Sequence, residues 1–228
     1  DGAGFVYVAG YTDAADAPVL GGAQARGGGV DAYVAKIHAS TGRLVYATYL
    51  GGAADDRAFA MVVDAMGSAY VAGWTTSTNF PTRNAAQASL SGNRDGFVLK
   101  LSPAGDGLAF STCFGGSQSE TVNAIALSGS SVWVGGDTTS TNLPTATGWQ
   151  NVNRGMQDGF LARFSDSGAL QAASYLGGNG DDTVRAVAVD GAGNVYAGGG
   201  TSSTDLSVPA GAVQGSLRGG QDGFLMKL

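Results

Sequence analysis

The chain has one histidine, one cysteine and one glutamate among its 228 residues, and these shortages exclude several chemistries at once. A lone Cys113 forms no disulfide within the chain. A zinc site needs several Cys or His ligands, so none can be assembled. Nucleophilic triads need a base beside the nucleophile, and only His38 could serve; it falls just after a predicted strand, in a turn. No catalytic residue and no cofactor is therefore expected. Lysine is scarce too, with three residues, and charged residues make up 13% against a usual ~25%. No apolar run approaches the ~18 residues of a membrane span, so direct membrane insertion is not expected. The net charge of −6 and the absence of any basic run repel nucleic acid and anionic surfaces.

What is abundant points one way. There are 39 glycines and 17 aspartates, which favour turns and disfavour helices. With 43% apolar residues the chain should still fold. It opens on Asp1, which leads us to expect either upstream residues that have been removed or a longer parent polypeptide.

An internal repeat organises the sequence. DGAGFVYVAGYT at Asp1 returns as DAMGSAYVAGWT at Asp64, SGSSVWVGGDT at Ser128 and DGAGNVYAGGGT at Asp190. The closing threonines, Thr12, Thr75, Thr138 and Thr201, are each 63 residues apart. Gln24, Gln87, Gln150 and Gln214 recur in step, as do Asp31, Asp95, Asp158 and Asp222. The units are 1–63, 64–127, 128–189 and an incomplete 190–228. Each reads as four short strands bounded by Gly, Asp and Ser. Their alternation is only moderate, as expected of strands covered on both faces. Four strands per ~63-residue unit, radially repeated, describe a β-propeller blade, so the predicted fold is an all-β propeller.

The linked motifs D-x-x-G-x-[VA]-Y-V-A-G-[YW]-T, [ST]-[ST]-x-[ND]-[FL]-P, D-[GA]-[FY]-[VL]-x-K-[LI] and Y-L-G-G resemble the SBBP-type β-propeller repeat family of bacteria. The resemblance covers essentially the whole chain; locally, Ser128 replaces the opening Asp and Ser207 a proline. It implies secreted or surface-exposed proteins, usually large ones, and no defined enzymatic activity. The strand count is about 14, or three and a half blades. In related propellers the strand before the D-x-x-G turn is innermost, so the first blade should lack its inner strand and the last its outer one. Three completions are open: a small four-bladed ring with incomplete end blades, closure by another chain, or membership of a larger propeller.

Residues present in every unit are read as structural. Repeated Gln24 is expected to satisfy backbone groups of the long loop, and repeated Asp31 to accept turn amides. Calcium is the sharpest ligand reading. Asp-rich turns supply hard oxygens, and GGNGDDTV at Gly177 fits one copy of a calcium-binding nonapeptide. The candidates are Asp181 with Asp182 and Asp55 with Asp56. The plainer reading is a blade-to-blade turn in which Asp56, Glu120 and Asp182 share one position. The glycine doublets at Gly51, Gly115 and Gly177 end strands and precede no helix, which removes a phosphate loop.

Unit-specific residues are better candidates for recognition. Tyr11, Trp74, Asp137 and Gly200 differ at the site before the repeated threonine, and Trp149 replaces a small residue before Gln150. Lining a rim, Tyr11, Trp74, Asp137 and Trp149 would anchor a protein partner or stack on a carbohydrate; packing between neighbouring blades explains Trp74 and Trp133 at least as well. The functional expectation is a non-enzymatic extracellular or surface scaffold for protein–protein interaction, within a larger assembly or beside one. A calcium-dependent or carbohydrate-binding module stands second. A hydrolase or lyase with axial carboxylates is remote, because nothing singles out a pair.

Overall fold

The computed structural model describes residues 1–228 as fourteen strands without a helix. The first sheet comprises β1 (Phe5–Thr12), β2 (Asp31–His38) and β3 (Leu44–Leu50). The second holds β4 (Asp56–Val63), β5 (Ala69–Thr75), β6 (Asp95–Leu101) and β7 (Leu108–Phe114). The third holds β8 (Glu120–Ser128), β9 (Ser131–Thr138), β10 (Asp158–Ser165) and β11 (Leu170–Leu176). The fourth has β12 (Asp182–Val189), β13 (Val195–Thr201) and β14 (Asp222–Lys227). Strands follow chain order within every sheet, and each pairs antiparallel with the next.

The D-x-x-G turn joins the first strand of a full sheet to the second. In the second sheet Asp64 Oδ1 accepts the Met66 and Ser68 amides at 3.0 and 2.8 Å, and Gly67 takes a φ of 83° that a side chain would disfavour. The sequence unit is thus offset from the sheet by one strand. Accordingly the first sheet lacks a counterpart of β4, and the fourth lacks a counterpart of β7.

Adjacent sheets pack face to face. Val34, Tyr46 and Leu50 of the first sheet share a core with Val71, Phe97 and Leu99 of the second. Tyr70, Val98 and Phe114 on the opposite face of the second sheet meet Val134, Phe160 and Phe164 of the third. Leu161 and Leu176 meet Val184 and Ala197. Burial on both faces explains the weak alternation: β6 is buried at six of its seven positions. By contrast β1 and β14, in the end sheets, alternate between half-buried and exposed. Val8 is 50% exposed where its counterpart Val71 is fully buried, and Leu225 is 79% exposed where Val98 is fully buried.

The end sheets do not pack face to face, so the four sheets form an open arc rather than a closed four-bladed ring. The loop before β14 also lacks the outer strand on which the loops of the other sheets lie, through Leu20–Ala47, Arg83–Ser111 and Ala146–Ala173 bridges. In its place is a cleft of about 630 Å³ lined by Leu206, Val213, Phe224 and Met226.

One repeated feature links neighbouring strands. Tyr7, Tyr70, Trp133 and Tyr196 pair directly across from Lys36, Lys100, Arg163 and Lys227. Each cation lies 4.7–5.5 Å from the ring it faces. The repeated cation therefore serves the cross-strand aromatic, and the Asp31 series lies elsewhere. Trp133 is accounted for by this packing.

Candidate functional site

The inner edge of the arc is formed by β4, β8 and β12, with β8 packed between the other two. Each carries a bulge against its neighbour: the register slips at Ala58/Ala60, Val122/Ala124 and Val184/Ala186. The skipped residues are Phe59, Asn123 and Arg185. A bulge re-aims a side chain, and Phe59 is 46% exposed while Arg185 is open to solvent. Crowding on the partner strand explains a glycine in the repeat. A Cβ at Gly73, Gly136 or Gly199 would overlap the carbonyl of Arg57, Thr121 or Thr183.

Beside these bulges the structure assembles a row of unit-specific side chains. Trp74 pairs across from Arg57, and Asp137 from Thr121. The Arg57 guanidinium lies 4.8 Å from the Tyr11 ring and 5.2 Å from the Trp74 ring; Arg94 approaches Trp74 at 5.3 Å. Tyr11 also meets Phe59 edge to face at 6.0 Å. Asn123 donates to Asp137 Oδ1 at 2.8 Å and to the Val184 carbonyl at 3.2 Å, tying the third sheet to the fourth. Burial raises the Asp137 carboxyl, opposed by the Asn123 hydrogen bond and by the charges of Arg94 and Arg185. Three of the protein's nine arginines, Arg57, Arg94 and Arg185, therefore gather here, although the chain carries −6 overall.

Tyr11, Trp74 and Asp137 thus come together, while Trp149 does not join them. Trp149 is 54% exposed, on a loop held to the outer strand β11 by the Ala146–Ala173 bridge and the Tyr175 amide on the Gln150 carbonyl. Sequence reading missed Arg57, Phe59, Arg94 and Arg185. A signal was present: Arg57 and Arg94 replace uncharged residues of other units at positions flanking the repeated acids.

The proposed calcium residues separate in the same way. Asp55 Oδ1 accepts the Val30 amide and its Oδ2 lies 3.7 Å from Arg57, whereas Asp56 is turned inward and fully buried. Asp181 is exposed and Asp182 fully buried. Asp56 Oδ2 accepts the Gly52 amide and the Ser77 hydroxyl at 2.7 and 2.8 Å, and Asp182 Oδ2 accepts Gly178 and Ser203 at 2.8 and 2.6 Å. These are hydrogen-bond donors, whereas calcium takes six to eight oxygens. The adjacent aspartates do not converge as pairs, and no group of three or more His, Cys, Asp or Glu side chains is placed to hold a metal.

The repeated glutamines and strand-opening aspartates form one network. Gln87 and Gln150 donate to Asp95 Oδ2 and Asp158 Oδ2 at 2.5 and 2.9 Å and accept the amides of Gly115 and Gly177. The aspartates accept loop amides, those of Gly27 and Gly28 at Asp31 and those of Ser91 and Gly92 at Asp95. Glutamine thus anchors the loop by way of both the backbone and the aspartate.

The SBBP β-propeller repeat model matches residues 45–81 and 173–207. The chain therefore carries this repeat, and each match runs from the outer strand of one sheet through the first two strands of the next. No curated protein matches the chain. No helix is long and apolar enough to cross a membrane.

Proposed function

We propose that this chain is a non-enzymatic scaffold, acting outside the cell or at its surface, that docks a protein partner on the row running from Tyr11 to Arg185. One observation carries the reading. The position before the repeated threonine changes from Tyr11 to Trp74 to Asp137 to Gly200, and the fold sets the first three among Arg57, Phe59, Arg94 and Arg185. Trp, Tyr and Arg dominate binding hot spots because they combine large contact area with directed hydrogen bonds. Sheets buried on both faces hold the row rigid, which limits the entropy lost on docking. Protein is favoured over carbohydrate because two guanidiniums already lie against the Trp74 ring that a sugar would need. The bulges present Phe59, Asn123 and Arg185 at the inner edge, which supports binding over axial carboxylate catalysis. The cellular location rests on the resemblance to the repeat family.

The test is affinity capture from secreted and membrane fractions with wild type, Trp74→Ala and Trp149→Ala in parallel. A partner held by wild type and Trp149→Ala but lost with Trp74→Ala supports the reading. Equal retention by all three contradicts it.

A further inference from the structure

Each joint between successive sheets encloses two acids and no base. Asp31 at the start of β2 faces Asp56 at the start of β4. Asp95 of β6 faces Glu120 of β8, and Asp158 of β10 faces Asp182 of β12. All six residues are fully buried. A methyl group on Gly51 would overlap both Asp31 Oδ1 and Asp56 Oδ2; on Gly115 it would overlap Asp95 and Glu120 Oε2, and on Gly177, Asp158 Oδ1 and Asp182 Oδ2. The carboxyl groups therefore meet across a bare glycine.

Their surroundings offer no counter-charge. None of the six takes part in either ion pair of the molecule, Arg57–Asp55 or Lys100–Asp64. The titratable neighbours are Cys113 on β7, near Asp95 and Asp56, and Tyr175 on β11, near Glu120 and Asp158. Both are neutral at physiological pH, with burial pushing the thiol up to about 12. Asp31 Oδ2 takes the Gly27 and Gly28 amides at 2.9 and 3.3 Å, yet its buried Oδ1, aimed at Asp56, has no partner. Two ionised carboxylates in such a site repel each other and forgo hydration, so one holds its proton to a higher pH.

We propose that each joint binds one proton shared by its two carboxyl groups, in Asp31–Asp56, Asp95–Glu120 and Asp158–Asp182, and that losing these protons loosens the stack of sheets. At the first joint the shared proton would lie between Asp56 Oδ2 and Asp31 Oδ1, giving the latter the partner it lacks. A proton fits better than a metal ion because the groups reaching these oxygens are amide, hydroxyl and carboxamide donors, which repel a cation. Burial, the largest cause, raises Asp56, Glu120, Asp158 and Asp95 against the hydrogen bonds they accept, and the charge of the facing acid adds a smaller push in the first three. Pairs this close titrate as units, so the raised value belongs to the joint. The sign follows. A carboxyl raised on folding contributes stability that is complete below its unfolded value, near 3.8 for Asp and 4.5 for Glu, and is lost as pH rises through the folded value. Asp222 is the internal control: it is only half-buried, whereas the other three strand-opening aspartates are fully buried against a second acid.

The test is urea unfolding of the whole chain from about pH 5 to about pH 8 at constant ionic strength, with and without chelator. Asp31→Asn keeps an oxygen for the Gly27 and Gly28 amides and supplies an N–H in place of the shared proton. Asp158→Asn does the same while keeping the Arg154 amide and giving up that of Gly155. We expect the wild-type midpoint to fall as pH rises, each variant to lose part of that fall and match or exceed wild type at the alkaline end, and Asp222→Asn to follow wild type. Should a variant not fold, infrared spectra of folded wild type at neutral pH must still show a protonated-carboxyl band that disappears on unfolding. A flat wild-type profile would overturn the proposal. So would variants that lower the midpoint equally at every pH, an absent infrared band, or a midpoint that chelator lowers and calcium restores.

Discussion

Glu120 accepts the Thr138 hydroxyl at 2.6 Å, whereas Asp56, one methylene shorter at the same place in the repeat, leaves its buried Oδ1 without a partner. Asp182 repeats the shortfall in the fourth sheet. The third sheet thus shows what length of acid the joint accommodates.

The Thr75 hydroxyl already approaches and lowers the Asp56 carboxyl without forming a well-aligned bond to Oδ1. Asp56→Glu should therefore complete that bond and stabilise the protein by up to about 1 kcal/mol, the usual net worth of a hydrogen bond. Urea unfolding at a pH near 5 checks this. A lower midpoint would show that the second sheet is too tight for the longer side chain.

Gly73 and Gly10 share a repeat position but differ in surroundings. A Cβ at Gly73 would overlap the Arg57 carbonyl, whereas nothing lies within 4 Å of one at Gly10, whose sheet lacks the bulged inner strand. Gly73→Ala should cost about 1–3 kcal/mol as an overpacked site. Gly10→Ala should stay within about 0.5 kcal/mol of wild type. Thermal unfolding of the two variants side by side measures the difference.

Cys113 is a free thiol, fully enclosed between the first two sheets and raised to about 12 chiefly by burial. Because the thiolate is the reactive form, a thiol-directed reagent at neutral pH should leave the native protein untouched and label it promptly in denaturant. Prompt labelling without denaturant would mean that the first joint opens readily.

The strands were legible because glycine, aspartate and serine punctuate them, and the 63-residue return of Thr12, Thr75, Thr138 and Thr201 exposes the repeat. The turn role of Asp31 was legible as well, since an aspartate opening a strand after Arg26–Gly27–Gly28–Gly29 has loop amides within reach. Its meeting with Asp56 was not. Each acid had a sufficient local role, and only the packing of one sheet on the next brings them together. The recognition row was half visible: variation at one repeat position marked Tyr11, Trp74 and Asp137. Arg57 and Arg94 stood out only as charges where other units are uncharged, while Phe59 and Arg185 needed the bulge, a break in pairing register that hydrophobic pattern does not encode. Trp149 misled because an unusual aromatic in a loop says nothing about which strand the loop lies on.

Equilibrium binding of the captured partner to wild type and to Arg57→Ala, Trp74→Ala and Trp149→Ala tests the central claim most directly. Removing hot-spot side chains typically weakens binding by ≥ ~2 kcal/mol, about thirtyfold in Kd. The account predicts losses of that order for Arg57→Ala and Trp74→Ala, and little change for Trp149→Ala. Unaltered binding by the first two, or a loss confined to Trp149→Ala, would place the partner elsewhere on the arc.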